Sequence, residues 1–492
     1  MNKGQAPSNG VKWCFLLNTA DLIQEFLGKF CFEAVREGDE CIIVSNSKIA
    51  EYSKLRFFPE KTPMYSRVEW VTEHYKKSDE EVVDLTWKEF FPSFVRKKEF
   101  GNFTYEYSVD IVTQTYIFLD TVFQREQPDA VLGELPANIF SQVAYILCKK
   151  YSIRYLGFSG SRMSGRIDIY DKEYTSSKYK ETYENIGTIS KHEKKTAIDF
   201  IEKFLSHEQL PSYEQGKRSI SRIHHARSYL IREWGMVRYW LQYIRRRRGY
   251  SYDYESELGL QATLRRPLKA WGRFINRLFN RNVFDTPGND DVYYLFPLHL
   301  QPEASTSVLA SYFSSQHNSV LNAAFSLPFP YKLYVKAHPS GVWNNKRDFY
   351  RELKKIPNVV LLSPEENVAN LIKESRGVIT LTSTIGLEAA LAGKPVYILG
   401  NVFYSYHPLC KKVSGFDELR KVLQEDTRHP PKVMNLEEIN IHFVTSYSRN
   451  TIPGSTRDAG RVQDRNDYKF IYQYIRDHFL HYEIRTSRDS SV

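Results

Sequence analysis

The stretch that most constrains the fold is residues 377–400, which read GVITLTSTIGLEAALAGKPVYILG. It opens with an apolar, β-branched run, Gly377–Leu381, which is typical of a strand buried on both faces of a parallel sheet. The hydroxyl residues Thr382–Thr384 interrupt the run and suit a helix N-terminus. Good helix formers fill Ile385–Ala392, and a second apolar run follows at Val396–Leu399. The sequence therefore predicts a strand, a hydroxyl loop, a short helix and a strand, as in an α/β sheet.

The hydroxyl loop lies where an anion is expected to bind. It follows the carboxyl end of a strand and precedes a helix, so free N–H groups and the positive end of the helix dipole meet there. Gly386 would let a ligand approach the backbone closely, and Glu388 is placed to accept hydrogen bonds from ribose hydroxyls. We predict that Thr382, Ser383, Thr384, Gly386 and Glu388 contribute to a nucleotide-phosphate site. The alternative is an ordinary strand–helix–strand unit with a well-capped helix.

Length and composition indicate more than one domain. A single core stops growing near about 250–300 residues, whereas this chain has 492 residues. Its hydrophobic content of 42% is enough for packed cores, which argues against wholesale disorder. We expect two to three domains.

The cysteines and the absence of long apolar runs predict the compartment. An odd number of scattered cysteines without a Cys-x-x-Cys pair argues against a disulfide framework or a zinc site and fits a reducing cytosol. The cysteines are Cys14, Cys31, Cys41, Cys148 and Cys410. The apolar run Val11–Leu17 is too short for a signal peptide, and no run approaches the roughly 20 apolar residues of a membrane span. We expect a cytoplasmic protein that is at most peripheral on the inner face of the cytoplasmic membrane.

Basic residues are concentrated in one segment. Residues 217–281 hold 16 Lys and Arg against 4 Asp and Glu, whereas the net charge of the whole chain is +10. The run Arg245, Arg246, Arg247 and Arg248 has amphipathic stretches on either side, which favours contact with an anionic membrane surface. The alternative is a solvated charged face. Nucleic acid is not expected as a partner, because no recognition motif accompanies the charge.

Alternating strand and helix patterns divide the chain into four predicted segments. Both alternating segments are expected to form doubly wound, Rossmann-like domains. Within the second of them, Ser305–Leu327 is predicted as one long helix. The tail reads as irregular until a helix at Asp467–His478, which is expected to pack back on the first domain. The segments are 1–165, an N-terminal α/β domain; 166–289, basic and mainly helical; 290–430, a C-terminal α/β domain; and 431–492, the tail.

Polar residues follow several predicted strands of the C-terminal domain. Ligands of open α/β sheets bind beyond the carboxyl ends of the strands. Gln301 and Glu303 follow the strand at 292–298, and Lys336 and His338 follow the strand at 331–335. Pro339 biases His338 toward an extended conformation at the strand tip. We predict that these residues converge with the hydroxyl loop on one phosphate group, although a lone histidine is more often structural.

Two carboxylates of the N-terminal domain are candidate catalytic groups. A sugar-transfer site needs a carboxylate that deprotonates an acceptor hydroxyl or acts as the nucleophile. Glu134, at a strand tip, is the first candidate, and Asp21 is the second. The alternative role for each is helix capping or solvation. Arg162 and Arg166 are candidates to bind an acidic donor or acceptor, or are surface charges.

Three motifs resemble a known family. FPLHLQPEAST (296–306), YVKAHP (334–339) and TSTIGLEAALAGKPV (382–396) resemble the capsule polysaccharide biosynthesis proteins, which are similar to the bacterial β-Kdo transferases and other GT-B glycosyltransferases. The resemblance covers mainly residues 290–405. It implies a GT-B-like fold in which two Rossmann-like domains face a cleft, with the basic helical segment between them and the nucleotide sugar on the second domain.

The resemblance also implies roles for particular residues. In related CMP-sugar transferases, a His-Pro motif and a Ser/Thr loop bind the donor phosphate, and the matching positions here are His338–Pro339 and Ser383–Thr384. Many retaining GT-B enzymes carry Glu-x7-Glu, but here Thr380 stands eight positions before Glu388. A retaining mechanism with a UDP- or GDP-sugar is therefore not carried over.

These observations predict a glycosyltransferase that moves a sugar from a nucleotide-sugar donor to a capsular or O-antigen polysaccharide or its lipid-linked precursor. His338, with Lys336 and the hydroxyl loop, would stabilise the leaving phosphate. No metal or other cofactor is expected, because no ligand cluster is visible in the sequence. The alternatives are an isomerase similar to the UDP-GlcNAc 2-epimerases, a polyol-phosphate transferase using a CDP-alcohol, and a catalytically inactive assembly module.

Overall fold

The structure of the protein is a computed structural model, and the chain divides into two units. The first unit contains residues 1–172, 210–261 and 451–492, and the second contains 173–209 and 262–450. The structure describes residues 10–18, 21–48, 50–51, 57–75, 85–90, 104–171, 177–207, 253–254, 268, 271–276, 279–280, 282–288, 290–301, 303–345, 347–431, 433–456 and 467–480.

The first unit is built on a seven-stranded sheet. Its strands are β1 Lys12–Leu17, β2 Glu40–Ser45, β3 Met64–Ser66, β4 Ala130–Glu134, β5 Arg154–Gly160, β6 Arg166–Tyr170 and β13 Thr451–Pro453. The spatial order is β13-β6-β5-β4-β1-β2-β3. Strands β1 to β5 run parallel, whereas β6 is antiparallel to both β5 and β13. The order β3-β2-β1-β4-β5 is that of a Rossmann-like domain.

Helices and apolar cores cover this sheet. The helices are α1 Asp21–Arg36, α2 Arg67–His74, α3 Tyr105–Glu126, α4 Ile139–Lys150 and α15 Tyr468–Ile475. One core joins Trp13 and Phe26 to Ile471 and Ile475 of α15, so the C-terminal helix packs into the first unit. A second core joins Leu16 of β1 to residues of α3 and α4.

The second unit is built on a six-stranded, wholly parallel sheet. Its strands are β7 Tyr293–Pro297, β8 Lys332–Lys336, β9 Val359–Leu362, β10 Val378–Thr380, β11 Val396–Ile398 and β12 Cys410–Lys412. The spatial order is β12-β11-β10-β7-β8-β9. Read from the other edge, this is the 3-2-1-4-5-6 order of a doubly wound dinucleotide-binding sheet. The predicted class, α/β with two Rossmann-like sheets, is therefore confirmed.

Besides helical residues at 268, 271–276 and 279–280, ten α-helices of the described residues belong to the second unit. They are α5 Ser177–Glu184, α6 Lys191–Leu205, α7 Ala304–Ser307, α8 Gln316–Ser326, α9 Gly341–Asn344, α10 Arg347–Lys354, α11 Val368–Glu374, α12 Thr384–Leu391, α13 Phe416–Arg428 and α14 Leu436–Arg449. Helix α14 is tied to α6 by an ion pair of 2.8 Å between Arg449 Nε and Glu193 Oε1. Arg449 and hydrogen bonds from Ser190 lower the pKa of Glu193 to about 2.

Three sequence predictions of local structure are wrong. Residues 166–170 form strand β6 rather than part of a mainly helical segment. Residues 436–449 form helix α14, although the tail was expected to be irregular there. The single helix expected at Ser305–Leu327 is divided into α7, a 3-10 turn at Ser311–Phe313 and α8. Serine hydroxyls compete with helical bonding in this region, since Ser307 Oγ donates to the Glu303 carbonyl and Ser319 Oγ to the Phe313 carbonyl.

The two units also divide the chain differently from the predicted segments. The first unit extends to residue 172 and includes 210–261, both inside the segment predicted as a separate basic linker. The second unit takes in 431–450, which was assigned to the tail. Pairing between β6 and β13 explains why the first unit extends beyond residue 165, because it draws residues 166–170 and 451–453 into one sheet.

Among the helices of the described residues, none combines the length and the apolar content that crossing a membrane requires.

Candidate functional site

The centre of the second sheet is its topological switch point, between β7 and β10. The chain runs outward from β7 to β8 and β9 and then returns to β10 on the other side of β7. Ligands of such sheets bind in the crevice that this reversal creates at the carboxyl ends of the strands. His299 follows β7 and Thr382 follows β10. The two are in contact, since the Thr382 N–H donates to His299 Nε2 at 3.2 Å.

The hydroxyl loop forms the N-terminus of α12. Ser383 is its N-cap, with its side chain accepting a hydrogen bond from the N–H of Ile385 at 3.2 Å. The Ser383 N–H donates to Thr380 Oγ1 at 3.0 Å, and Thr382 Oγ1 donates to the Ser305 carbonyl at 2.8 Å. The hydroxyls of Thr382 and Ser383 thus hold the loop in shape. Thr384 is the first residue of α12 and is half-buried.

The structure gives Gly386 a different role from the one that the sequence suggested. A Cβ at this position would lie 2.5 Å from the Tyr404 hydroxyl and 3.1 Å from Thr380 Cγ2. The Tyr404 hydroxyl donates to the carbonyl of Ser383. Tyr404 thus fills the space beside the Gly386 Cα and holds the loop, which explains a glycine at this position; a donor-binding role for Gly386 stays a prediction.

His299 is buried and neutral. Its side chain is 7% exposed, and its backbone N–H and carbonyl both bond the Gln316 amide, at 2.6 and 3.0 Å. Burial and the nearby His338 lower the pKa of His299 to about 3. Because Nε2 accepts from Thr382, the proton of the neutral ring is on Nδ1, which is buried without a partner among the described residues.

His338 lies two residues beyond the end of β8. Its Nδ1 accepts a hydrogen bond of 3.1 Å from the N–H of Ser340, so the neutral ring carries its proton on Nε2. Its carbonyl accepts from Gly341 and Val342, at 2.9 and 3.3 Å, which ties it to the start of α9. The ring is half-buried, and Pro339 is exposed. The His-Pro pair therefore stands at a strand tip, as its sequence predicted.

Lys336 is the last residue of β8 and is 7% exposed. Its Nζ donates to the Pro364 carbonyl at 2.8 Å. Burial lowers the pKa of Lys336, and the carboxylates of Glu365, Glu366 and Glu388 oppose that shift. The Lys336 ammonium group is thus held in place among carboxylates, which balance part of its positive charge.

Glu388 faces this corner from α12. Its side chain is 13% exposed, and its Oε2 lies 3.8 Å from Nε2 of His207, which follows α6. The electrostatic interaction between Glu388 and Lys336 brings α12 and the end of β8 to one site. His207 was not among the predicted residues.

Gln301 and Glu303 have local structural partners. Gln301 Nε2 donates to the Ser314 carbonyl. Glu303 is exposed, and its carbonyl accepts from the N–H of Ser307 at 2.9 Å. Both residues thus hold the chain that surrounds α7, and a donor-binding role for them stays a prediction.

The first unit has a matching switch point between β1 and β4. Asn18 follows β1 and is 5% exposed, and its Nδ2 donates to Glu134 Oε2 at the end of β4, at 3.0 Å. Gln24 Nε2 donates to Asn18 Oδ1 at 3.0 Å, which fixes the amide that orients the carboxylate. Asp21 begins α1, but its side chain lies outside the described part of the structure.

The structure gives different contacts to the arginines that were predicted to bind ligand or membrane. The Arg166 guanidinium donates to the Thr451 carbonyl at 2.7 Å and to its hydroxyl, so it joins β6 to β13. Arg162 is half-buried, and its charge acts on Tyr170. The run Arg245–Arg248 lies outside the described residues.

Within the described ranges, no three histidine, cysteine or carboxylate side chains form a group that would hold a metal ion.

His299, Tyr404 and Asn18 are the main residues that the site prediction omitted. Both His299 and Asn18 follow the first strand of their sheet, so the rule that selected the ends of β8 and β10 also applies to them. Tyr404 has no such signal, because its contact with the loop depends on how the chain returns after β11.

Comparison with known proteins finds a family match over part of the chain. Residues 285–427 match the family described as "Capsule polysaccharide biosynthesis protein", which confirms the predicted resemblance over that segment. The capsule polysaccharide modification protein LipA of Neisseria meningitidis serogroup B is 28% identical over 136 residues, 28% of this chain and 18% of LipA. LipA of serogroup A gives the same values. The match therefore spans less than a fifth of these curated relatives.

Solved structures give weaker similarities. The β-Kdo 2,7-transferase KpsC of Thermosulfurimonas dismutans is 12% identical with a TM-score of 0.29, covering 69% of this chain and 88% of that one. The UDP-GlcNAc 2-epimerase of Neisseria meningitidis is 14% identical with a TM-score of 0.24, covering 90% of this chain and 100% of that one. The fold of this protein therefore rests on its own strand order.

Proposed function

We propose that this protein, whose residues 285–427 match the capsule polysaccharide biosynthesis family, is a glycosyltransferase of capsule synthesis. The donor is a nucleotide sugar, and its phosphate binds at the switch point of the second sheet. The acceptor is a surface polysaccharide or its lipid-linked precursor. Neither a metal nor another cofactor takes part in this proposal.

The observation that carries the proposal is the contact between Thr382 and His299 beside His338. This contact supports the proposal because the N-terminus of α12 lies at the switch point of the sheet, where doubly wound sheets bind nucleotides. The free N–H groups and dipole of a helix N-terminus favour a phosphate. His338 Nε2 supplies a further donor from the neighbouring strand tip, since its Nδ1 is held by Ser340.

Lys336, two residues before His338, adds positive charge to this site. It is buried and bonded to a carbonyl, so it acts on the leaving phosphate mainly through its field, which is stronger in a water-poor site than in solution. Glu388 accepts hydrogen bonds from the ribose hydroxyls in this proposal. The nearby Lys336 partly balances the carboxylate charge, and His207 Nε2 lies 3.8 Å from Glu388 Oε2.

Glu134 is the proposed base for the acceptor hydroxyl. The Asn18 amide donates to one of its oxygens, which stabilises the charged carboxylate and fixes its orientation. A general base acts on a hydroxyl within hydrogen-bond reach. Asp21 stays the second candidate.

The test is a transfer assay with the whole chain. CMP-, UDP- and GDP-sugars and CDP-alcohols are each incubated with the protein and an oligosaccharide acceptor prepared from capsule, and released nucleotide and labelled product are measured. We expect acceptor-dependent transfer from one nucleotide class, lost in His338→Ala. The matched control is His429→Ala, because His429 is 76% exposed and lies on no strand tip.

Two results would contradict the proposal. Formation of an epimeric sugar nucleotide without acceptor would identify an isomerase. Absence of both turnover and nucleotide binding across the panel would favour an assembly module.

A further inference from the structure

A basic amphipathic segment precedes the second sheet. Residues 268, 271–276 and 279–280 are helical, and Pro267 suits the first position of a helix. At about 100° per residue, the apolar side chains fall on one side of such a helix and the basic ones on the other. The apolar residues are Leu268, Trp271, Phe274, Ile275, Leu278 and Phe279, and the basic residues are Lys269, Arg273 and Arg277.

The apolar side of this segment is exposed. Leu268 is 74% exposed, Trp271 66%, Phe274 52% and Phe279 54%. The Trp271 and Phe274 rings lie next to each other, with centroids 5.8 Å apart. A helix of a globular protein normally turns its apolar side to the core, and contiguous exposed apolar surface marks an interaction site.

The polar side holds the segment to the second unit. Asn280 is fully buried, and its Nδ2 donates to the carbonyls of Val342 and Asn345, at 2.8 and 3.2 Å. These carbonyls belong to α9 and the residue that ends it, immediately after the His338 turn. The segment with the exposed apolar side is therefore anchored to residues that follow His338 of the proposed donor site closely in the sequence.

The charge around the apolar side specifies the partner. Residues 264–281 contain six Lys and Arg and no Asp or Glu. A helix with aromatic and aliphatic residues on one face and Lys or Arg on the other lies in the headgroup region of a bilayer and is attracted by anionic lipids.

We propose that the helical residues 271–276, with Leu268 and Phe279, form an interfacial surface that binds an anionic phospholipid bilayer. This segment belongs to the amphipathic stretch that follows the predicted Arg245–Arg248 run, and the run itself lies outside the described residues. Trp271 and Phe274 enter the headgroup boundary, while Lys269, Arg273 and Arg277 attract anionic headgroups. The inference is independent of the proposed glycosyltransferase reaction, because it concerns membrane attachment only.

The experiment is co-sedimentation of the full chain with vesicles of phosphatidylcholine alone or with one-quarter phosphatidylglycerol, at low and high salt. We expect binding to the anionic vesicles that weakens at high salt. Trp271→Ser with Phe274→Ser should weaken it about tenfold or more. Lys269→Gln, Arg273→Gln and Arg277→Gln together should weaken it about 100-fold, at roughly fivefold per charge.

Matched controls separate this surface from general exposure and charge. Tyr312→Ser with Phe329→Ser removes two aromatic rings that are 80% and 98% exposed. Lys191→Gln, Lys194→Gln and Lys195→Gln removes three exposed charges of α6. Both controls should bind as the wild type does, and nucleotide binding should be unchanged in all variants.

A second measurement does not depend on the serine variants. Quenching by brominated lipid should reach Trp271 in the wild type and should fall in Trp271→Phe, which keeps the apolar side and the binding. The proposal is overturned if the wild type does not bind anionic vesicles or if the serine variant binds equally well. It is also overturned if that variant converts a vesicle-free dimer to a monomer, since the occupant would then be a second copy of the chain.

Discussion

Replacing His299 with leucine should loosen the hydroxyl loop by removing one hydrogen-bond acceptor. His299 Nε2 accepts the N–H of Thr382 at 3.2 Å, and the imidazole is 7% exposed. Leucine fills a similar space without an acceptor. The Thr382 N–H would then be left unpaired next to the N-terminus of α12.

The size of the effect follows from the cost of an unpaired buried N–H group. This cost is about 1–3 kcal/mol, which corresponds to about 5- to 150-fold in the equilibrium for local opening. We therefore expect amide exchange of the peptide that contains Thr382 and Ser383 to accelerate by about 5- to 150-fold. His299→Gln should restore much of the protection, because the glutamine oxygen can reach the position of Nε2.

The assay is hydrogen–deuterium exchange by mass spectrometry at neutral pH, with peptides from β10 to α12. His429→Leu is the matched control, because it makes the same replacement at a side chain that is 76% exposed. Equal exchange rates for this peptide in the wild type and His299→Leu would refute the role assigned to His299.

The hydrogen bond from the Thr382 N–H to His299 should weaken as the pH falls. Burial and His338 lower the pKa of His299 to about 3, below the 6.5 of a free histidine. Protonation thus favours the opened loop, so protection is complete above about pH 6.5 and is lost as the pH falls toward 3. His299→Gln has no such group. Its protection, corrected for intrinsic exchange, should stay flatter over this range.

Three further predictions concern packing, catalysis and acid stability. Gly386→Ala should destabilise the second unit by about 1–3 kcal/mol in thermal unfolding. Adding Tyr404→Phe should relieve part of this loss, because the clash at 2.5 Å is with the Tyr404 hydroxyl. A double variant whose loss of stability equals the sum of the two single losses would contradict that explanation. Glu134→Gln should lower kcat about 10²- to 10⁴-fold with donor KM little changed, and an unaltered kcat would remove Glu134 as the base. Arg449 helps lower the pKa of Glu193 to about 2, so the stabilisation from this pair is present above pH 4.5 and is lost as the pH falls toward 2. The free energy of unfolding of Glu193→Gln, measured as the pH is lowered, should lack this loss. Identical pH profiles for the variant and the wild type would show that the pair does not contribute to stability.

The sequence was sufficient for the parallel strands because these are buried apolar runs. The strands at 378–380 and 396–398 were predicted to within one residue at each end. A strand covered on both faces needs an unbroken apolar run, which stands out against polar loops.

Elements that depend on distant partners were missed. Strand β13 has only three residues, Thr451–Pro453, and it exists because β6 offers an unpaired edge nearly 300 positions earlier. Strand β6, Arg166–Tyr170, alternates polar and apolar residues and thus carried a detectable period of two. Helix α14 has apolar residues at helical spacing, so its omission reflects the polar composition of the tail and not the absence of a signal.

The candidate site was predictable as a set of strand ends but not as a set of contacts. Lys336, His338 and Thr382 were selected because strand tips share one edge of a sheet. The bond from Thr382 to His299 joins residues 83 positions apart and depends on β7 lying beside β10. The space at Gly386 is likewise decided by Tyr404, which the local sequence cannot place.

The most direct test of the proposed donor site is a crystal structure of the protein with a nucleotide monophosphate selected by binding. The account predicts the phosphate at the N-terminus of α12, within hydrogen-bond distance of the Thr384 N–H and of His338 Nε2. A phosphate bound elsewhere, with His338 and the hydroxyl loop making no contact with it, would contradict the account.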